Sequence, residues 1–311
     1  MSTVPDALPY SFVRFGEPPV RRPPVAHHTF TGAAGLLKCR ITALTHVLVA
    51  KGGTAGPTFL QGHVIPGSSL KGLVRSVAEA AGDGCMVLSS APQAGAYEGC
   101  SRQGSLCITC RMFGMMETGA NAKVHLGHVR FGDVRAESVQ EQTLGLPSMW
   151  GPRPNDHPGY HDPDGGPSGR KFYFHHAIGP NESPEPEITA RAVEPGSTFV
   201  TEIAYSNLSE EELALLLYAL FLEPGVRHKM GLAKPLGLGS VRIECAEWKF
   251  WDAADRYRGG TKETLTDAEA MERIQSVTAD HRGSQAEPHQ DLRRILAWDP
   301  DDTTHYRYPV W

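Results

Sequence analysis

The sequence has 311 residues, 40% of them hydrophobic, with 33 glycines, 24 prolines and a formal net charge of -5. That content supports one large or two small packed domains rich in loops and insertions, and it excludes wholesale disorder. A net negative chain also excludes a uniformly basic nucleic-acid coat, so any polyanion site must come from local clusters of charge and from main-chain amides. No run of about 18 apolar residues exists, so no membrane partner is expected. Residues 1–22 are polar and proline-rich and lack the apolar stretch of a secretory signal, which predicts a cytoplasmic protein.

In chain order, residues 1–33 read as an N-terminal arm rich in Pro, Arg and His. Leu36 to Val49 is β-branched and partly alternating, which predicts a strand. After a glycine-containing loop, Ser68 or Ser69 caps a helix that places Leu70, Leu73, Val74, Val77 and Ala78 on one face. Lys71, Arg75 and Glu79 share the opposite face, and Gly82-Asp83-Gly84 ends the helix. A cysteine segment follows, then a strand from Lys123 to Val134 and a long insertion over 135–195. Thr198 to Tyr205 predicts a strand, Ser209-Glu210-Glu211-Glu212 a capping box opening a helix through Leu222, and Ser240 to Phe250 a last strand. A charged extension, 251–311, holds a further helix around Thr266 to Val277. The order over 34–250 fits an α+β fold with a βαββαβ ferredoxin-like core, interrupted by insertions at 83–114 and 135–195. Other α+β arrangements fit the same order.

Four of six cysteines crowd into one segment as Cys85, Cys100, Cys107 and Cys110, spaced C-x14-C-x6-C-x2-C. A reducing compartment disfavours disulfides, and the C-x-x-C pair supplies two adjacent ligands from one tight turn. Residues 83–106 hold too little apolar material to fold alone, so a structural Zn2+ with a closed four-thiolate shell is expected. His125 or His128 could replace one cysteine. Cys39 and Cys245 fall in strands and read as buried apolar residues.

Two segments could meet phosphate. Ile65-Pro66-Gly67-Ser68-Ser69-Leu70-Lys71-Gly72 turns into a helix whose first amides suit an anion, with Lys71 and Arg75 one turn apart. Gly231, Gly237 and Gly239, with Lys229 and Lys234 beside them, form a glycine-rich run before the last strand. It is not a P-loop, since Ser240 opens a strand. Read from the residues alone, the alternatives are a solvated amphipathic helix and a plain glycine turn.

These segments carry a resemblance. The I-P-G-S-S-L-K-G-x-x-R phrase, the Cys107-Ile108-Thr109-Cys110-Arg111-Met112-Phe113-Gly114 element, the stretch Gly169 to His176 containing Arg170 and Lys171, and the run from His228 to Val241 are together similar to the RAMP superfamily of CRISPR proteins, especially Cas7-like backbone subunits of type III or type III-derived complexes. The match spans roughly 35–250. It implies an RRM-like fold with a zinc knuckle and a thumb-like insertion at 135–195. It also implies a crRNA partner, complementary target RNA, further copies of the chain along the guide, and other Cas subunits such as a Cas5-like protein and a separate nuclease. Ser68, Ser69, Lys71, Arg75, Arg170, Lys171, Lys229, Gly231, Lys234, Gly237 and Gly239 become the expected RNA contacts. Met149-Trp150 and Phe172 to His176 offer rings that could stack bases.

Cleaving members of that family present an aspartate after the first strand. Here residues 51–62 contain no carboxylate, and Thr54 cannot replace one as a hard metal ligand. A non-cutting scaffold is therefore expected. The alternatives are a Cas7-like RNase using an unrecognised carboxylate such as Asp133 or Asp162, and a Cas6-like endoribonuclease that processes precursor RNA with a histidine; His46 and His63 flank the 51–62 loop and could act as acid or base. His161, Asp162 and Asp164 lie in a sequence that reads first as a turn.

Overall fold

A computed structural model describes residues 8–50, 63–86, 94–117, 122–147, 149, 158–176, 188–251, 257–258, 263–302, 304 and 306. The strands are β1 (Tyr10–Val13), β2 (Ala33–Ala43), β3 (Val64–Ile65), β4 (Gly114–Met116), β5 (Val124–Leu126), β6 (Val129–Phe131), β7 (Val134–Ser138), β8 (Glu141–Leu146), β9 (Arg170–Tyr173), β10 (Ile188–Val193), β11 (Thr198–Leu208), β12 (His228–Lys229), β13 (Ser240–Trp251) and β14 (Glu263–Thr266). The helices are α1 (Gly67–Ala81), α2 (Ile108–Phe113), α3 (Glu210–Phe221), α4 (Asp267–Val277), α5 (Ala279–Gly283) and α6 (Glu287–Ile295).

The fold is α+β. Its main sheet runs β12-β13-β2-β11-β7-β3, with β6 also on β11 and β14 on β13. All of its pairings are antiparallel. β2 shows why: Leu37, Cys39, Ile41 and Ala43 are buried while Lys38 and Arg40 between them are exposed, the period of a half-buried strand. α1 buries Leu70, Val74, Val77 and Ala78, as the helical spacing predicts. α3 opens with the expected capping box, Ser209 and Glu212 each bonding the other's main-chain N–H.

The core reaches beyond the central unit. Val13 of the arm and Ala270, Ile274, Leu292 and Ile295 of α4 and α6 pack in the same cluster as Leu37, Ile41 and Phe199. Arg14 fixes the arm to α6, donating from its main-chain nitrogen and from Nε to Asp291. The 135–195 insertion contributes as well: β7 joins the main sheet, β8 pairs with β10, and β9 pairs with β1 of the arm.

A smaller cluster of Leu48, Leu146, Ala190, Ala192, Ala233 and Leu238 packs β8 and β10 against the glycine-rich run. Here Gly239 has φ of 88°, and a Cβ on it would stand 2.1 Å from the Met230 carbonyl oxygen. Both conformation and contact therefore demand glycine. Gly225 has a comparable φ of 80° but open space around it. In urea unfolding, Gly239→Ala is expected to cost about 2–4 kcal/mol and Gly225→Ala only about 1 kcal/mol, the backbone penalty alone.

Candidate metal centre and nucleic-acid cleft

The ligand atoms of Cys85, Cys100, Cys107 and Cys110 all lie within 4.8 Å of one another. Around a tetrahedral ion with bonds of about 2.3 Å, neighbouring sulphurs stand about 3.8 Å apart, so the spacing suits a soft divalent metal. α2 positions two of the four: Cys107 is its N-cap and Cys110 lies in its first turn. Cys85 follows α1, with its Sγ 3.5 Å from that of Cys110, and Cys100 accepts from the Cys107 main-chain N–H at 3.2 Å. Leu106 and Met115 seal the cluster. Sulphur–sulphur hydrogen bonding, led by Cys100, drives the Cys107 thiol far down and the Cys110 thiol far up. His125 and His128, the alternative ligands, instead bond the carbonyls of Arg111 and Val25 through Nε2.

Beside the sulphurs lies a buried ionic layer. Arg75 donates to Glu79 at 2.8 Å, to the Gly114 carbonyl at 2.9 Å and to Cys110 Sγ at 3.3 Å. Arg170 donates to the other oxygen of Glu79 at 3.3 Å and to the Gly84 carbonyl. Only 16% of the Arg75 side chain and 12% of that of Arg170 are exposed. Both were expected on RNA, and both face inward instead. Two guanidiniums against one carboxylate leave a positive surplus, which would complement four thiolates around a divalent cation. Burial nonetheless pushes the Glu79 carboxyl up, against the pull of Arg170 and Arg75.

A cleft of about 450 Å³ opens on another face of α1. Ser69, Gly72, Leu73 and Ser76 line it at helical spacing, opposite Lys171, Phe172 and Tyr173 of β9 and the turn Lys229 to Lys234. Among the described residues, three lysines line this cleft and no carboxylate does. Their amines are held by neutral groups. Lys229 donates to the carbonyls of Gly237 and Leu238, Lys234 to that of Gly231, and Lys171 to the Tyr160 hydroxyl. Burial lowers Lys229 to about 7 and Lys171 to about 8.

The RAMP superfamily profile matches residues 40–242, a span that holds α1, all four clustered cysteines, β9 and the glycine-rich run. The chain belongs to the RAMP superfamily. Among solved structures, Thermofilum pendens Csc2 is similar at 16% identity, over 86% of this chain and 87% of that one, with a TM-score of 0.43. No curated protein matches.

Within this RAMP chain the expected RNA contacts separate by position. Ser69, Lys171, Lys229, Gly231 and Lys234 line the cleft. Ser68 is exposed on the first turn of α1, and Lys71, half-buried, lies beside Arg75, its pKa lowered by burial and by that neighbour. The amides of Gly237 and Gly239 are already bonded, to the carbonyls of Lys234 and His46. A Cβ on Gly231 would stand 2.3 Å from the Leu48 carbonyl oxygen. These glycines thus serve close main-chain packing, which the sequence could equally have read as phosphate approach. Neither Ser68 nor Ser69 caps α1. Pro66 is the N-cap, and Asp133 accepts from the Gly67 N–H at 2.9 Å.

The remaining candidates have structural partners. His46 bonds Gln142 and His63 bonds Glu141. Asp162 closes its own turn, accepting from the amides of Asp164 and Gly166. His175 is buried between Ser240 and the Arg227 carbonyl, and burial holds it neutral with a pKa of about 3. Trp150 and residues 51–62 lie outside the described residues. Sequence reasoning missed Tyr10 and Tyr160, which surround Lys171; nothing in the arm or in a Pro-Gly turn marks them.

Elemental analysis of purified protein is expected to find about one divalent metal per chain. Cys107→Ser should lose it, while Cys39→Ser, altering a buried strand cysteine, should retain it. Equal metal content in both variants would remove the centre.

Proposed function

We propose that the chain is a Cas7-like backbone subunit of a CRISPR effector complex, which binds crRNA in the lysine-lined cleft and presents it to complementary RNA without cutting. The cleft carries this reading. Among the described residues three lysines line it and no carboxylate does, so their charge is not cancelled there and can serve an outside polyanion. Lys171, Lys229 and Lys234 supply charge, Ser68 and Ser69 supply hydroxyls at the start of α1, and Lys71 lies alongside. Arg75, Arg170, Gly237 and Gly239 act one layer back, holding these groups in place.

Several features support the finer parts. The order β13-β2-β11 followed by β6 and β7, with α1 after β2 and α3 after β11, fits a ferredoxin-like βαββαβ unit. The four thiols and the adjoining cation layer suit Zn2+, which would be bound by Cys85, Cys100, Cys107 and Cys110 and would order the 83–114 insertion. On the question of cutting, residues 51–62 hold no carboxylate, Asp133 is engaged at the α1 N-terminus, and His46 and His63 are bonded to β8. This favours a partner subunit as the nuclease. Copies of the chain along the guide and a Cas5-like neighbour complete the assembly. Among the described residues no helix is long and apolar enough to cross a membrane.

RNA of defined length should co-purify with the chain or its complex. A Lys71→Glu/Lys171→Glu variant should bind guide RNA at least tenfold more weakly, with a shallower salt dependence by about one unit per lost phosphate contact. Affinity should also fall between pH 6.5 and 9. Lys229 at about 7 and Lys171 at about 8 lose their charge in that window, whereas ordinary lysines stay charged to about pH 10. Complementary RNA incubated with the assembled complex and Mg2+, in the absence of any partner nuclease, should stay intact; regularly spaced fragments would refute the scaffold role.

A further inference from the structure

RRM-like domains commonly stack bases on the open face of the sheet. Here the middle of that face is a lattice of opposed charges. Lys38 stands across from Glu202 on one side and Glu247 on the other, and Arg40 stands across from Glu244. Cation and carboxylate neutralise one another there, and bases gain little from such a surface.

Rings and an uncompensated cation meet elsewhere. In the antiparallel pair β1–β9, Tyr10 is the partner of Tyr173 and Phe12 of Lys171. Alternation then puts all four side chains on one face of the two-stranded sheet. Tyr160, from the short 3-10 turn Pro158–Tyr160, closes over them. The Lys171 amine lies 3.6 Å over the Tyr10 ring and donates to the Tyr160 hydroxyl at 2.7 Å. The rings meet edge to face: Tyr10 with Tyr160 at 6.0 Å and 60°, Tyr10 with Tyr173 at 6.0 Å and 72°, Phe12 with Tyr160 at 5.0 Å and 72°. Each edge-to-face contact uses the face of one ring and the edge of the other, and the Lys171 amine covers one face of Tyr10; each ring is nonetheless only half-buried, which leaves part of it to solvent. Lys171 and Tyr173 also line the cleft, so the cluster continues its wall.

We propose that Tyr10, Phe12, Tyr160 and Tyr173 around Lys171 form a base-stacking subsite, contributed partly by the N-terminal arm, that takes an unpaired nucleobase and its phosphate from single-stranded RNA. The inference rests on the cleft being the RNA site. It adds to that reading a contact from β1, which lies outside the span matched by the superfamily profile. Stacking on a ring is indifferent to base identity, so the subsite grips any sequence. Lys171 supplies the charge for the phosphate, and its present partners, a phenol and a ring, give way without leaving a carboxylate unpaired.

The test uses the full chain with a fluorescein-labelled single-stranded RNA at fixed salt, and the same RNA carrying 4-thiouridine for photocrosslinking. Tyr10→Leu/Tyr160→Leu should bind about tenfold more weakly, the size of one lost base stack, while Tyr10→Phe, which keeps the ring, should bind like the parent. Duplex RNA, whose bases are already stacked, should bind parent and double variant alike. Adducts of the parent protein should map to Tyr10, Tyr160 or Tyr173, a readout that survives if the double variant does not fold. If the parent binds RNA but the folded double variant binds equally well, or adducts fall only elsewhere, the subsite is overturned and the cleft reading stands. If the parent binds no RNA, both fall.

Discussion

Glu79 is the junction on which the functional half of the molecule depends. It projects from α1 and accepts from Arg75 on the same helix and from Arg170 on β9. Those two guanidiniums then reach a cysteine sulphur and the carbonyls of Gly84 and Gly114. One carboxylate thereby ties together α1, the cysteine insertion and the strand that carries Lys171. Burial works against its ionisation, so the contribution of this layer is placement more than stability. Removing any one charge would leave the others buried without compensation, which is why such a layer holds a single geometry.

That placement divides α1 by function. The face with Arg75 and Glu79 turns to the cysteines, the face with Leu70, Val74 and Val77 to the core, and the face with Ser69, Gly72 and Ser76 to the cleft. A helix with three occupied faces cannot rotate. The consequence for β9 is similar: Arg170 is anchored inward, and its neighbour Lys171 therefore points to the opposite side, into the cleft. The cysteine cluster and the cleft are thus addressed by two consecutive residues of one strand.

Local signals in the sequence carried much of this. The spacing of Leu70, Val74 and Val77, the Ser209–Glu212 box and the C-x14-C-x6-C-x2-C run each depend on a few neighbouring residues, and each holds in the structure. Long-range partnership was not legible. Nothing near Arg75 indicates that the cationic face of α1 will meet cysteines rather than water. The pairing of Tyr10 with Tyr173 spans just over half of the chain, and nothing around Tyr10 marks it as the partner of the Gly169–His176 stretch. The cap of α1 failed for the same reason, because Asp133 arrives from the connection between β6 and β7 and displaces the local serines from that role. Glycines misled in a different way. A positive φ at Gly231 or Gly239 is needed equally for phosphate approach and for close contact with a neighbouring strand, and only the position of the Leu48 and Met230 carbonyls decides between them.

On the proposed reading, the chemistry of the lysine partners accounts for how the cleft would attract an anion. A lysine satisfied by a carboxylate has its charge cancelled, and a polyanion must then break a salt bridge before it can bind. Lys229, Lys234 and Lys171 are held by carbonyls, a phenol and a ring, which fix the amine in space without a carboxylate to neutralise it. Burial makes that charge costly, as the lowered pKa values of Lys229 and Lys171 record. An approaching phosphate relieves the cost, drawing the amines back to the protonated state and taking up protons as it binds. The same desolvation that disfavours the empty site therefore strengthens its attraction for an anion, because a charge in a low-dielectric wall is screened less than one in water. On these terms the proposed site would hold a polyanion although the net charge of the chain is negative, because among the described residues three lysines line the cleft and no carboxylate does.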